Sequence, residues 1–416
     1  MKQLLDQLAS DYEYLMQNRE KLESDCKKLR EYIDNQVQQI QSLNSDFDKL
    51  RQEYLSKGGE EAMKASEERI EEKRENDEQG TQDWELTTLV SSENIKKPHI
   101  IQLIAEIVDL SVICATTFSP NNKCIAIGSD KNLRIYNHLD DEFLFQYDLG
   151  NDSEDDITHI QSISWFPDSK SLACSGEDGH IRIFDVEESA LKKDIEIKDT
   201  EIAKVQVSNN GKFMAAILNS SKSNSVALYS VEDFSEICKL VRNDGSNEQY
   251  SLAISPNDKY IAISYGDFCV ALWDIETRTI LTEKKCHTDK IHDIKFISNS
   301  RFATASLDCT IKIWDINQDS EGKTTIDLWK SIEGHENFVL SLAVDKKGEW
   351  LLSGSKDLTT RLTDLETGEM IYSIKGHTNS IISVDFDADG THFCTGSGDK
   401  SIKIWSFRAE EIEESM

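Results

Sequence analysis

The chain has 416 residues, of which 77 are acidic and 46 are basic, so its formal net charge is −31 at pH 7. This charge argues against direct contact with nucleic acid or an anionic membrane, and it favours basic partners. Nine cysteines occur without a C-x-x-C pair, which indicates reduced thiols in a cytosolic or nuclear protein and neither a disulfide framework nor a zinc site. We expect no membrane span, because no apolar run approaches roughly 20 residues. We expect no signal peptide, because Met1 opens directly into a heptad pattern.

The first 56 residues carry a hydrophobic heptad repeat. Apolar or aromatic side chains recur at alternating steps of three and four residues as far as Tyr54, with Arg19 and Gln36 as the polar exceptions. An average spacing of about 3.5 residues without a proline predicts a coiled-coil helix over residues 1–56. The positions predicted to hold the helices together are Leu5, Leu8, Leu15, Leu22, Leu29, Ile33, Ile40, Leu43 and Leu50.

Further apolar residues flank this seam, namely Leu4, Met16, Tyr32 and Val37. They widen the apolar stripe beyond what a two-helix coiled coil buries, and so favour three or four helices. The alternative is a single amphipathic helix packed on the following domain. At 1.5 Å per residue, however, that helix would be about 80 Å long, longer than such a domain is wide. We therefore predict a homo-oligomer, most simply a homotetramer.

This assignment predicts that residues 1–56 form a stable helical oligomer. Replacing Leu22 and Leu29 by glutamate should leave monomers, because two charges would then enter the buried seam. Sedimentation of the wild-type and doubly substituted segments measures the difference. A wild-type segment that sediments as a monomer at micromolar concentration would contradict the assignment.

Two charged segments have no regularly spaced apolar residues that could be buried. Lys57-Gly58-Gly59 interrupts the helix, and the stretch from Glu60 to Gln82 is mostly charged, so residues 57–83 are predicted to form a solvated acidic linker. Residues 408–416 are predicted to form an acidic tail.

From Ser111 to Trp405 one unit recurs about every 40 residues. Gly376-His377 opens the last copy, which continues through Thr395-Gly396-Ser397-Gly398-Asp399 to Ile402-Lys403-Ile404-Trp405. Gly334-His335 and Cys286-His287 open the two preceding copies. A period of this length, with a Gly-His start and a Trp-Asp end, resembles the WD repeat, each copy of which forms one four-stranded blade of a β-propeller.

Seven copies can be aligned, which predicts an all-β seven-bladed propeller over residues 84–407. The inner strands are expected to begin near Ser111, Ile157, Glu201, Gln249, Lys290, Phe338 and Ser380. The last copy lacks an outer strand, and an unassigned β-type run precedes the first copy at residues 100–107. We predict that this run completes blade seven and closes the ring, so that no long sheet edge stays open.

Ser/Thr–His–Asp sets such as His377, Thr395 and Asp399 could suggest a hydrolase. The same spacing returns in several copies, whereas a catalytic set should occur once. We therefore predict buried hydrogen-bond networks and neither catalytic residues, nor a bound cofactor, nor a metal ion. Blades five and seven hold the full set, and blade six has Thr363 where tryptophan is expected. Blade three, which inserts Asn219–Asn224, is predicted to be the least stable.

The order of coiled coil, acidic linker and propeller resembles the Tup/Groucho class of transcriptional co-repressors, and its Tup-type branch in particular. The resemblance is carried by Gly334–Leu342, Leu352–Asp357, Gly376–Val384 and Thr395–Asp399, with Asp83-Trp84 and Ser111–Cys114 at the entry to blade one. It implies a nuclear co-repressor that is recruited by DNA-binding transcriptional repressors without touching nucleic acid itself. It also implies a tetratricopeptide-type co-repressor partner and contacts with histone tails and deacetylases.

Other coiled-coil WD-repeat scaffolds remain alternatives, namely a dynein regulator, a splicing factor or a G-protein β-like subunit. A tetrameric segment 1–56 would favour the co-repressor, since a G-protein β-like subunit would carry a heterodimerising helix instead.

Loops that join successive blades surround one end of a propeller channel. The residues predicted to bind a partner there are Ile113, His159, Gln161, His292, Phe338, Leu340, Asn379 and Ser380. Phe338 and Leu340 stand out because exposed apolar groups within a polar surround tend to be interaction sites. The alternative is that both turn inward and pack between blades.

Overall fold

The computed structural model describes residues 84–90, 99–130, 132–138, 143–149, 159–221, 224–242 and 248–409. The predicted coiled coil (1–56), the linker (57–83) and residues 410–416 of the predicted tail lie outside the described residues. Within the described ranges, no helix combines the length and hydropathy needed to cross a membrane.

Strands alternate with short turns along the whole described chain. Two strands precede the repeats and the first three blades follow: β1 (Glu85–Thr88), β2 (His99–Val108), β3 (Ala115–Phe118), β4 (Cys124–Gly128), β5 (Asn132–Asn137), β6 (Phe143–Asp148), β7 (Ile160–Trp165), β8 (Ser171–Gly176), β9 (His180–Asp185), β10 (Ala190–Glu196), β11 (Glu201–Val207), β12 (Phe213–Asn219), β13 (Ser225–Ser230) and β14 (Glu236–Leu240). Blades four to seven hold the others: β15 (Gln249–Ile254), β16 (Tyr260–Tyr265), β17 (Cys269–Asp274), β18 (Thr279–Lys285), β19 (Ile291–Ser298), β20 (Arg301–Ser306), β21 (Ile311–Gln318), β22 (Thr324–Ile332), β23 (Val339–Val344), β24 (Trp350–Ser355), β25 (Thr359–Asp364), β26 (Glu369–Lys375), β27 (Ile381–Phe386), β28 (His392–Ser397) and β29 (Ser401–Ala409).

These strands form seven antiparallel sheets, each a meander from an inner to an outer strand. The inner strands β3, β7, β11, β15, β19, β23 and β27 contact one another in that cyclic order, and β27 returns to β3. The sequence-based prediction of a seven-bladed propeller is confirmed. Strand β29 extends to Ala409, so the predicted tail begins too early at residue 408.

Burial falls from the second and third strands of a blade towards its outer strand. Every residue of β8 is buried, whereas β10 at the edge of the same blade is mostly exposed. Apolar side chains on both faces of the middle strands fill the spaces between neighbouring blades. Ile217 of blade three and Ile263 of blade four, for example, belong to one buried cluster. A strand that is buried on both faces has few polar positions, which explains the nearly continuous apolar runs in these segments.

The ring closes through strand β2. The last sheet has the order β2-β29-β28-β27, and Ile101 lies opposite Phe407 in the antiparallel register. The His99 ring stacks on Phe407 with centroids 4.2 Å apart. The prediction that residues 100–107 supply the outer strand of blade seven is confirmed. Strand β1 adds a fifth strand to the edge of blade six.

The repeated histidines lie in buried hydrogen-bond networks. His287 Nδ1 donates to Asp308 at 2.9 Å, its Nε2 accepts from Thr304 at 2.7 Å, and Trp314 Nε1 donates to Thr304 Oγ1 at 2.9 Å. His377, Asp399, Thr395 and Trp405 repeat this geometry in blade seven, and His335, Asp357 and Ser353 repeat it without the tryptophan in blade six.

Burial alone would raise the pKa of Asp308, Asp357 and Asp399, but hydrogen bonds from the histidines hold it below its ordinary value. The networks therefore link loop, turn and strand within a blade, as predicted.

Three other blades use arginine in place of this network. Arg134 pairs with Asp109 in blade one, Arg182 with Asp178 at 2.6 Å in blade two, and Arg242 with Asp267 at 2.9 Å in blade four. In blade three the Asn219 amide binds the Gln249 backbone of blade four. The Asn219–Asn224 loop includes positions outside the described residues, and the lower stability of blade three stays a prediction.

Candidate partner-binding mouth

The antiparallel meander fixes which loops share a face. Loops between blades and turns between the second and third strands lie at one end of the channel, and all other turns lie at the opposite end. We call the first end the mouth. The inner strands start there and enclose a central channel with a volume of about 580 Å³, lined by residues of all seven blades.

The structure brings four of the eight predicted partner-binding residues together. His159, Gln161, His292 and Leu340 line the channel. Asn379 is exposed and Ser380 half-buried in the loop that leads into β27. Phe338 is half-buried beneath Lys356, whose Nζ lies 5.2 Å from the ring centroid.

Placing Ile113 at the mouth was wrong. Its side chain is 0% exposed and packs in the cluster between blades seven and one. Its Cγ2 atom lies 2.7 Å from where a Cβ on Gly396 would stand, so glycine leaves the space that Ile113 fills. The equivalent residues Ile291 and Ile381 are also buried, which identifies this position as the contact between blades. Phe338 and Leu340 both stay partly exposed, and their role in partner binding stays a prediction.

Four carboxylates surround one side of the mouth, and we call Asp130, Glu177, Glu201 and Glu248 the acidic arc. Gln161 Nε2 donates to Glu177 at 3.0 Å and to Glu201 at 3.2 Å, so one amide holds the carboxylates of two blades. His159 Nδ1 lies 2.9 Å from Asp130 Oδ1. Glu177, Glu201 and Glu248 are exposed and Asp130 is half-buried, so each keeps oxygen lone pairs open to a partner.

Tyr250 extends the acidic arc with an aromatic surface. Its hydroxyl donates to Glu248 Oε2 at 2.6 Å, and Lys290 Nζ lies 4.7 Å from the ring centroid. Burial, followed by the hydrogen bond to Glu248, raises the pKa of Tyr250, so the phenol stays protonated. The sequence analysis missed these residues. Acidic residues at the start of an inner strand (Glu201, Glu248) or in the turn before a third strand (Asp130, Glu177) would have identified them.

Deeper in the channel, polar contacts join neighbouring inner strands. Lys204 Nζ of blade three donates to Asp293 of blade five at 2.5 Å and to Ser251 of blade four at 2.8 Å. His292 Nδ1 donates to the Leu340 carbonyl at 2.7 Å, and the His292 side chain stays exposed to the channel. These groups are engaged within the protein and set the spacing of the blades beneath the mouth.

An apolar pair was also missed by the sequence analysis. Val108 and Leu110, in the loop from blade seven to blade one, are 75% and 85% exposed. Asp109 between them is buried, accepts the backbone N–H of Ser111 at 3.1 Å and pairs with Arg134. Asp109 thus anchors the loop that carries the pair at the mouth. The signal in the sequence was the presence of two apolar residues in a loop between blades.

Family models match both halves of the propeller. The model for the WD domain, G-beta repeat matches residues 238–274, 278–315, 327–364 and 368–406. The model for the anaphase-promoting complex subunit 4 WD40 domain matches residues 116–210.

Three known proteins contain segments that are similar to part of this chain, and their names describe different functions. Apoptotic protease-activating factor 1 of Mus musculus is 28% identical over 203 residues, which cover 45% of this chain and 16% of that protein. Pre-mRNA-processing factor 19 of Mus musculus is 30% identical over 123 residues, 29% of this chain and 23% of that protein. Guanine nucleotide-binding protein subunit beta of Solanum tuberosum is 23% identical over 222 residues, 51% of this chain and 57% of that protein.

The matched segments thus span less than two thirds of the length of each of these relatives. The matched repeats and the seven sheets around one channel identify the chain as a WD40-repeat protein, whose seven-bladed propeller is a scaffold for protein–protein interaction.

Proposed function

We propose that this chain is a nuclear co-repressor scaffold whose mouth docks a short lysine- or arginine-bearing segment of a DNA-binding transcriptional repressor. The observation that carries the proposal is the acidic arc, with three exposed carboxylates and one half-buried carboxylate from blades one to four. Two of the carboxylates are oriented in advance by Gln161, so docking a cation costs little side-chain entropy. Leu340 and the Val108–Leu110 pair offer apolar contacts at the same end of the channel.

The co-repressor role is supported by the Tup-type resemblance of blades six and seven. On this proposal the predicted coiled coil forms the homotetramer and engages a tetratricopeptide-type co-repressor, while deacetylases and histone tails are further partners. Lysine-rich tails share the chemistry that the acidic arc would recognise.

The first test removes charge from the acidic arc without changing side-chain shape. The triple variant Glu177→Gln, Glu201→Gln, Glu248→Gln should bind a lysine- and arginine-rich synthetic peptide about tenfold or more weakly, since each hydrogen bond to a charged group contributes about 1.5–3 kcal/mol. Its affinity should also depend less on salt. Fluorescence anisotropy of the labelled peptide across a salt series measures both effects.

A matched control carries Glu188→Gln, Glu232→Gln and Glu276→Gln, which are exposed and lie in turns at the opposite end of the channel. It changes the net charge equally and should bind like wild type. If both triple variants lose affinity to the same extent, the binding reflects overall charge and the acidic arc is not the site.

A cellular test addresses recruitment itself. Leu340→Ser with Asn379→Ser should abolish target-gene repression at normal protein level and unchanged melting temperature, because both side chains lie at the mouth outside the blade cores. Retained repression in cells carrying both changes would refute the site.

A scaffold in pre-mRNA processing is the second candidate, favoured by the 30% identity to Pre-mRNA-processing factor 19 over 123 residues. Affinity purification of the full chain distinguishes the two. Co-purifying DNA-binding repressors and deacetylases support the first candidate, and co-purifying splicing proteins support the second.

A further inference from the structure

Three metal-ligating side chains converge where the first and last blades meet. His138 follows β5 of blade one, Asp387 follows β27 of blade seven, and His392 begins β28. One ligand atom from each lies within 4.8 Å of the other two. The cluster lies at the end of the propeller opposite the mouth, so it is separate from the acidic arc.

The cluster is largely shielded from water. His138 is 7% and Asp387 3% exposed, whereas the His392 side chain keeps 19% of its surface. The His138 ring packs edge-on against Phe118 at 4.8 Å and against His392 at 5.1 Å. Asp387 Oδ2 lies 3.0 Å from His392 Nδ1. Two rings and a carboxylate thus meet in one cluster, with an opening to solvent at His392.

We propose that His138, Asp387 and His392 bind a divalent transition-metal ion of the Zn²⁺ class, with water completing the coordination. Imidazole nitrogens favour Zn²⁺, Co²⁺ and Ni²⁺, whereas Mg²⁺ and Ca²⁺ prefer all-oxygen sites. With metal–ligand bonds of about 2.0–2.2 Å, tetrahedral ligand atoms stand roughly 3.4 Å apart. The three groups therefore need to approach by no more than roughly 1.5 Å, which small rotations of the two imidazole side chains supply.

A second cluster in the described part of the chain shows what makes the first one suitable. Asp267, Cys269 and Glu283 also bring three possible ligands together. There, however, the Arg242 guanidinium binds Asp267 at 2.9 Å and Glu283 at 2.5 Å. Burial raises the pKa of Cys269 to about 11, so its thiol stays protonated. A cation is already built into that cluster, and a metal would have to displace it.

The ion would clamp the junction that closes the ring. Blades seven and one are joined at this face by the Asn122 side chain, which accepts the Ala388 N–H at 2.6 Å, and by the Thr117 hydroxyl, which donates to Asp385 at 2.8 Å. A metal held by ligands from both blades would add bonds across the same junction. Because the unfolded chain does not hold these ligands together, binding should stabilise the fold.

The test uses the full chain after chelation and dialysis. Addition of Zn²⁺ at about 100 times its Kd should raise the melting temperature by roughly 5 °C, while Mg²⁺ should leave it unchanged. Titration calorimetry should give one site, and Co²⁺ should produce visible d–d bands without the near-ultraviolet charge-transfer band of a cobalt–thiolate bond. That missing band excludes the cysteines as ligands.

Variants locate the ion. His392→Gln, at the ligand nearest to solvent, should fold normally yet lose the Zn²⁺-dependent rise in melting temperature and the Co²⁺ bands. His138→Gln should do the same if it folds. His180→Gln, which changes a histidine paired with Asp194 on blade two, should respond to metal like wild type. The proposal is overturned if wild type shows no Zn²⁺ effect, if Mg²⁺ acts equally, or if His392→Gln keeps the full response.

Discussion

A chain that starts at Ser111 should aggregate, whereas chains that start at Gln82 or at Pro98 should be soluble. The shortest form lacks β2, so the nine-residue strand β29 (Ser401–Ala409) keeps β28 on one side and loses its outer antiparallel neighbour along its full length. A long unpaired strand is a template for pairing between molecules. Ile101, which is 4% exposed in the closed ring, also leaves the core beneath it.

The form that starts at Pro98 keeps β2 and lacks β1. It therefore distinguishes the effects of these two strands on solubility and stability. We expect it to remain monomeric with a lower melting temperature, since Trp84, whose ring packs edge-on against Trp405 at 5.3 Å, is removed with β1. Size-exclusion chromatography with light scattering, together with thermal melts, measures these outcomes. Equal solubility of the forms that start at Ser111 and at Pro98 would contradict closure through β2.

Replacing Asp293 by asparagine should destabilise the propeller by about 1.5–3 kcal/mol, because it removes a charged hydrogen-bond partner from the Lys204 ammonium, whose side chain is 20% exposed. Asp293 accepts hydrogen bonds from Lys204 at 2.5 Å, Ser251 at 3.1 Å and the Leu342 backbone at 2.9 Å, and so joins blades three, four, five and six. Burial already lowers the pKa of Lys204, and loss of the carboxylate would drive that ammonium further towards neutrality. Urea unfolding of both proteins gives the difference in free energy of unfolding.

The double variant Lys204→Met, Asp293→Asn serves as the control. Its loss in free energy of unfolding should be smaller than the sum of the losses of the two single variants, because no uncompensated charge remains in the double variant. Additive losses would show that the two side chains act independently.

The contribution of Asp293 and Lys204 to the free energy of unfolding should depend on pH. Burial alone would raise the pKa of Asp293, but Lys204, Lys295 and the hydrogen bonds lower it from 3.8 to about 2. A depressed folded-state pKa contributes stability that is fully present above the unfolded value and disappears as the carboxylate is protonated. The difference in free energy of unfolding between wild type and Asp293→Asn should therefore be constant above about pH 5 and shrink between pH 4 and pH 2. A difference that persists at pH 2 would contradict this account.

The repeat predicted much of the fold because its signals are local. Inner strands β11 and β15 begin at Glu201 and Gln249 as predicted, and the His–Asp networks of blades five to seven follow the spacing of single copies. The sequence analysis misplaced Ile113 for a physical reason. Side chains alternate between the two faces of a strand, and this alternation does not show which face turns to the channel. Comparison with Ile291 and Ile381 at the same position would have corrected the assignment, since apolar residues recur there.

The sequence by itself determined the number of blades, the strand order and the segment that closes the ring. Each depends on alternation, turns and a period that can be counted along the chain. The two sites argued above were decided by the tertiary structure. Glu177, Glu201 and Glu248 become neighbours only because inner strands and turns of successive blades surround one channel. His138 meets Asp387 and His392 because ring closure places the first blade against the last. His138 does not share a repeat position with Asp387 or His392, so no spacing in the sequence could have joined these three residues.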